Sequence, residues 1–299
     1  MRFSASARVL TVVILSLLFG AQASADSEPV SRFFETSDGA TIHYLEAGTG
    51  PVILFVPGIL VPAEVWANQI DYFSKDYRVI AMDPRSQGRS EKVTEGHFNA
   101  RRGKDIGELA AHVSKEPVVV VSWSLAVWET LKYIKEHGSD RFRGVVLVDM
   151  WIGFDSKKPE PHPVTSGVAL FVEGLQVDRK SWTRSWIKSF FQTPPPESLV
   201  DDLANRVMMI PTNSAVTLYA NSLLIDDRDY RPVLNKIAVP LMMIMSTSDM
   251  AIAITKESRA RWPDLRIETI PDTRHALFME KPDEFNEILR RFIADLPKG

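Results

Sequence analysis

Five short, almost wholly apolar runs constrain this chain more than any other feature: "VILFV" (52–56), "VIAM" (79–82), "VVVV" (118–121), "GVVLV" (144–148) and "LMMIM" (241–245). A strand with no polar side can only be buried on both faces, and that is the environment of a parallel sheet sandwiched between helices. Helix-period segments separate the runs. Val65, Trp66, Ile70 and Phe73 share one face, as do Ile106, Leu109, Ala110 and Val113, and the last amphipathic stretch runs from Pro282 to Leu296. Strand and helix in alternation predict an α/β fold with a mostly parallel central sheet flanked by helices. Two further strands are expected around the turn Ser37-Asp38-Gly39. The alternation stops after Met150. Prolines gather at 159, 161, 163 and 194–196, four helix-like segments follow, and strands resume only at Val239. The stretch from about 154 to 236 therefore reads as a helical cap inserted into one α/β domain spanning 26–299.

Residues 1–25 read differently. Arg2 and Arg8 precede the apolar run "VLTVVILSLLF", and Ala23-Ser24-Ala25 is a small-x-small site. That pattern predicts a signal peptide cleaved after Ala25, with export to the periplasm or outside the cell and no stable membrane anchor afterwards. There is no Cys, so neither disulfides nor thiolate chemistry contribute. The formal net charge of −3 comes without a basic run, which argues against a nucleic-acid partner.

One strand ends in chemistry. "VVVVSWSLAVWETL" (118–131) passes from a buried run through Ser-Trp-Ser-Leu-Ala into helix formers, the layout of a strand–turn–helix elbow that exposes its central Ser124. Elbows of this kind read Gly-x-Ser-x-Gly. Here Ser122 and Ala126 hold the flanking places, and their side chains fit provided their own φ stays negative. A serine nucleophile needs a base, and His275, in the loop "IPDTRHALF" between a strand and the last helix, is the candidate among six histidines. The base needs a carboxylate. Asp249 at the end of "LMMIMSTSD" is the first choice, with Asp149 at the end of "GVVLVD" as the alternate. Asp83 in "DPRSQGRS" reads as an organiser of its own turn. The backbone N–H of Leu125, following the serine, and of Ile59, in the loop after "VILFV", are the expected oxyanion donors.

Taken together, "VPGILVPAEVW", "YRVIAMDPRSQGRS", the elbow, "MSTSD" and "DTRHALFMEKPDEF" resemble the α/β-hydrolase superfamily, in particular its capped esterase and cofactor-free haloperoxidase-like branch. The resemblance covers nearly all of the chain after the leader. It implies a Ser-His-Asp hydrolase with no metal and no cofactor, and it carries Ser124, Asp249 and His275 onto the matching positions. The chain departs from the family pattern in three ways. Pro57-Gly58 replaces His-Gly before the oxyanion donor, Ser122 and Ala126 replace the elbow glycines, and Leu60 stands where perhydrolysing members often carry Pro.

The expected activity is hydrolysis of small to medium apolar carboxylic esters, lactones included, through an acyl-enzyme. Trp123 in the elbow and Trp182, Trp186 and Phe190, spaced by four in the cap, are the expected lining of an apolar pocket. Alternatives are a slow or inactive ligand-binding protein on the same fold, an aminopeptidase, or a perhydrolase-like member. The partner expected is a small-molecule ester, and the sequence carries no signal of oligomeric state.

Overall fold

The computed structural model describes residues 28–153, 163–222 and 229–297. The proposed leader and the proline-rich start of the insertion lie outside them. Eight strands form one sheet, in the order β1-β2-β4-β3-β5-β6-β7-β8. The hairpin β1 (Val30–Glu35) and β2 (Thr41–Ala47) joins antiparallel at one edge, and β2 runs antiparallel to β4 (Arg78–Met82). The other pairings, through β3 (Val52–Val56), β5 (Val118–Trp123), β6 (Phe142–Val148), β7 (Leu241–Met245) and β8 (Arg266–Thr269), are all parallel. Every residue of β3 and β5 is buried, as their uniform composition requires.

The helices that cover the sheet are α1 (Ala67–Phe73, entered through a 3₁₀ turn at Ala63–Trp66), α2 (Asn99–Val113), α3 (Ala126–His137), α9 (Asp249–Arg261), α10 (Leu277–Glu280) and α11 (Pro282–Ala294). Between β6 and β7 the chain forms α4 (Pro163–Val177), α5 (Arg179–Lys188), α6 (Glu197–Met208), α7 (Thr212–Ala220) and the short α8 (Arg231–Leu234). No helix among the described residues is long and apolar enough to cross a membrane.

Strand order places the site. β3 has β4 on one side and β5 on the other, so the chain winds outward in both directions from this pair. Loops leaving β3 and β5 at their carboxyl ends diverge and open a crevice between them, the usual ligand position in a doubly wound sheet. Ile59 follows β3 and Ser124 follows β5, so both stand at that crevice.

One helix starts earlier than its sequence pattern predicts. Helical spacing is evident only from about Thr255, but α9 begins at Asp249 because the Ser248 side chain caps it, accepting from Ala251 N–H at 3.3 Å.

Candidate active site

Ser124 occupies the sharp turn between β5 and α3, with φ of +58°. A non-glycine residue is held in this left-handed region only where its surroundings enforce it. Its N–H donates to Val148 O at 3.0 Å, and Val127 N–H closes the turn onto Ser124 O at 2.9 Å. Ser122 and Ala126, in the places usually held by glycine, are not among the residues with positive φ. The condition for tolerating their Cβ atoms is met. Ser122 has an internal partner besides, its Oγ lying 2.6 Å from Thr130 Oγ1 on α3.

Space opposite Ser124 comes from Gly58. A Cβ there would lie 2.7 Å from Ser124 Cβ and 3.2 Å from Ser124 Oγ. Only glycine lets the β3 loop approach the serine this closely. The N–H groups of Ile59 and Leu125 have no hydrogen-bond partner among the described residues, and both residues line the same cavity as Ser124.

His275 Nε2 lies 2.8 Å from Ser124 Oγ, and its Nδ1 lies 2.9 Å from Asp149 Oδ2. With the proton on Nδ1, that nitrogen donates to the carboxylate and Nε2 accepts from the serine hydroxyl. The ring is held on several sides. Trp123 Nε1–H donates to His275 O at 2.7 Å, Ala276 N–H donates to Phe190 O at 2.9 Å, and the Trp123 and Phe190 rings sit 5.0 and 5.6 Å from the imidazole. The second Asp149 oxygen, Oδ1, accepts from Ser246 N–H at 2.8 Å.

The carboxylate on His275 is thus Asp149 and not Asp249, the first choice from sequence. Asp149 ends β6, the strand beside β5, and its φ of +46° turns the side chain back over the sheet edge toward His275. Asp249 lies one strand further out. It is the exposed first residue of α9, where a carboxylate favours the helix N-terminus, and it lines the mouth of the cavity without a bond to His275. The missed signal is Ser248, an N-cap residue that draws the following Asp into a helix.

The cavity above the trio measures about 470 Å³. Trp123, Trp186 and Phe190 line it as the sequence suggests, joined by Trp151, Tyr219 and Ile254. Trp151 is not among the expected lining residues; the signal for it is its place three residues after the carboxyl end of β6. Trp182 is a correction. It packs inside the insertion, stacked on Trp186 at 5.7 Å and edge-on to Phe171 at 4.4 Å, over Gly174 of α4. Trp182 and Trp186 share one face of α5 but sit a turn apart, and only Trp186 reaches the cavity. Phe190 follows the helix, and its ring meets Trp186 at 4.7 Å and Trp123 at 5.7 Å.

Asp83 serves its own turn, as expected: Oδ1 accepts from Ala63 N–H at 2.6 Å and Oδ2 from Arg89 N–H at 2.8 Å, while His43 Nδ1 lies 2.7 Å from Oδ2. No group of three or more His, Asp and Glu that could hold a metal occurs among the described residues.

Residues 53–288 match the alpha/beta hydrolase family, and the chain belongs to it. A non-heme haloperoxidase from Rhodococcus erythropolis is 26% identical over 87% of this chain and 98% of its own length. A pimeloyl-[acyl-carrier protein] methyl ester esterase from Vibrio atlanticus is 23% identical over 82% of this chain and 95% of its own. Among solved structures, the esterase EaEST from Exiguobacterium antarcticum superposes with a TM-score of 0.80 at 20% identity, covering 89% of this chain and 100% of that one. A bromoperoxidase from Bacillus anthracis gives 0.79 at 22% identity, covering 89% and 100%.

Proposed function

We propose that this protein is a serine hydrolase of small to medium apolar carboxylic esters. The observation that carries the reading is the hydrogen-bonded trio Ser124–His275–Asp149 on the floor of an aromatic cavity. Ser124 Oγ adds to the ester carbonyl while His275 Nε2 takes its proton. Asp149 holds the Nδ1–H tautomer and stabilises the imidazolium that forms. The unpartnered N–H groups of Ile59 and Leu125 receive the carbonyl oxygen as it becomes an oxyanion. His275 then returns the proton to the departing alcohol, and water resolves the acyl-enzyme by the same route.

Relatives named as ester hydrolases and as haloperoxidases both match over most of their length. Leu60 favours the ester reading. The family members that perhydrolyse often carry Pro at this position, but Leu60 has φ of +64° and donates its N–H to Gln87 Oε1 at 3.0 Å. Proline, locked near −65° and lacking that N–H, fits neither requirement. Export after cleavage at Ala25 remains part of the proposal and is tested by the N-terminal sequence of the protein recovered from its producing cell.

The deciding experiment pairs the chain from Asp26 with Ser124→Ala. Release of nitrophenol from a short-chain p-nitrophenyl ester and covalent labelling by a fluorophosphonate are expected of the first and absent in the second. Equal behaviour of the two would overturn the reading in favour of a ligand-binding protein.

A further inference from the structure

The loop that supplies Ile59 has no regular structure between β3 and the turn at Ala63, yet it is wholly buried. Its backbone polar groups need partners, and buried peptide groups almost always have them. One side chain provides three. Gln87, fully buried, donates from Nε2 to Gly58 O at 3.0 Å and to Val61 O at 2.8 Å, and accepts from Leu60 N–H at Oε1, 3.0 Å away. These contacts flank Ile59 on both sides and hold Leu60 in its left-handed conformation.

Gln87 is itself braced. Arg102 on α2 donates from Nη2 to Gln87 Oε1 at 3.0 Å and from Nε to Glu129 Oε1 at 2.5 Å, and both charged side chains are about 1% exposed. Glu129 stands in the first turn of α3, and its own N–H donates to Leu125 O at 3.3 Å. Arg102 has little room to shift. At the neighbouring Gly103 a Cβ would lie 2.3 Å from Glu129 O, so α2 and α3 touch backbone to backbone there. The turn carrying Gln87 is pinned from outside by Lys92 Nζ, which donates to Gly88 O at 2.5 Å and Ser90 O at 2.7 Å.

A continuous polar chain therefore runs from the flanks of Ile59 through Gln87, Arg102 and Glu129 to Leu125. It ends on the residues either side of Ile59 and on the carbonyl of Leu125, the two residues whose free N–H groups line the cavity with Ser124. We propose that Gln87, backed by the Arg102–Glu129 pair, is a positioning residue that sets the spacing of the Ile59 and Leu125 N–H donors, an inference that rests on the ester-hydrolase reading above. It takes over the loop-ordering task that the absent His before Gly58 would perform. Burying an ion pair is costly and seldom raises stability over an apolar substitute, so its benefit is sought in geometry. Oxyanion donors act only where their placement is fixed in advance of the reaction.

The test is Gln87→Met, which keeps the length of the side chain and removes all four bonds. Three quantities are read against the unaltered protein: kcat and KM for a p-nitrophenyl ester, and affinity for an alkyl trifluoromethyl ketone. Ser124 Oγ adds to the ketone carbon, its proton passes to His275, and the resulting hemiketal oxyanion occupies the place of the reaction's own. The expected result is a kcat lower by about 10- to 100-fold, because displacement of reacting groups by about 1 Å costs on that scale. KM stays within about threefold, and ketone affinity falls by a factor that follows kcat/KM. A kcat within about twofold, or a loss confined to KM with unchanged ketone affinity, overturns the role. If Gln87→Met does not fold, Gln87→Glu serves: it keeps the acceptor for Leu60 N–H and Arg102 and loses the two donors. A smaller loss of the same pattern supports the role, and unaltered kcat overturns it. Fluorophosphonate labelling separates the two readings. An unaltered protein that neither labels nor turns over brings both down; one that does, beside an equally active Gln87→Met, brings down the positioning role alone.

Discussion

Asp149 holds His275 from the end of β6, with one carboxylate oxygen on the imidazole at 2.9 Å and the other on Ser246 N–H at 2.8 Å. The backbone at the end of β7 thus supports the acid that β6 supplies. Asp149→Asn keeps the shape of the side chain but removes the charge opposite Nδ1 and permits the wrong tautomer. A kcat loss of about 10³- to 10⁴-fold is expected, with the melting temperature little changed. Asp249→Asn should stay within about threefold, since an exposed carboxylate at a helix start contributes only tenths of a kcal/mol to about 1 kcal/mol. Steady-state kinetics of the two variants side by side decide the assignment. The reverse order of severity would return the role to Asp249.

Gly58 gives a second prediction. In Gly58→Ala the new methyl would meet Ser124 Cβ at 2.7 Å, and neither the elbow nor the loop held by Gln87 can yield easily. The nucleophile and the Ile59 donor should be forced apart. A fall in kcat of about 100-fold is expected, with parallel slowing of fluorophosphonate labelling. Circular dichroism should show the fold retained, and labelling at the unaltered rate would mean that the loop adapts.

Much of this was legible in the chain, for identifiable reasons. The uniform strands announce themselves because burial on both faces leaves no polar position, and Ser124 and His275 stand out because a valine run and an isolated loop deliver them. The choice between Asp149 and Asp249 was not legible. Both end buried strands, and what separates them is which strand neighbours β5 and whether the next residues start a helix. Ser248 decided the second point, and a single capping serine is a weak local signal. The aromatic stripe failed in part because a shared helix face does not fix depth: Trp182 lies one turn of α5 from Trp186 and packs on Phe171 instead of reaching the cavity. Gln87, Arg102 and Glu129 escaped because they are polar residues in a polar-looking turn and on two helices. Only the tertiary contact of α2 with α3 shows them to be buried and joined.

The substituted elbow yields a third prediction. Ser122 already has a permitted backbone conformation and a buried bond to Thr130. Restoring the usual residue by Ser122→Gly should therefore cost stability without improving catalysis. Losing the hydrogen bond and adding glycine's chain entropy should together cost about 1–2 kcal/mol. Urea unfolding measures the first effect. The kcat, expected within about threefold of the unaltered protein, checks the second, and a large gain would mean that the Ser122 side chain restrains the elbow.

The last prediction concerns His97, which is remote from the chemistry but buried where the Gln87 turn meets the insertion. Its Nε2 lies 2.8 Å from Ser86 Oγ, and its backbone carbonyl accepts from Asn221 Nδ2 at 2.9 Å. Burial, with Arg102 and Arg85 adding like charge, pushes its pKa down from 6.5 to about 4. In the unfolded chain the same ring protonates near 6.5. Between these values the unfolded state carries more protons, so stability falls as pH drops from about 6.5 to 4. His97→Gln removes the titrating group. It should be less stable than the unaltered protein near pH 7.5, having lost the bond to Ser86, but its melting temperature should decline less steeply between pH 6.5 and 4. Thermal melts of both proteins across that range provide the check. Parallel curves would show that His97 does not carry the acid sensitivity of the fold.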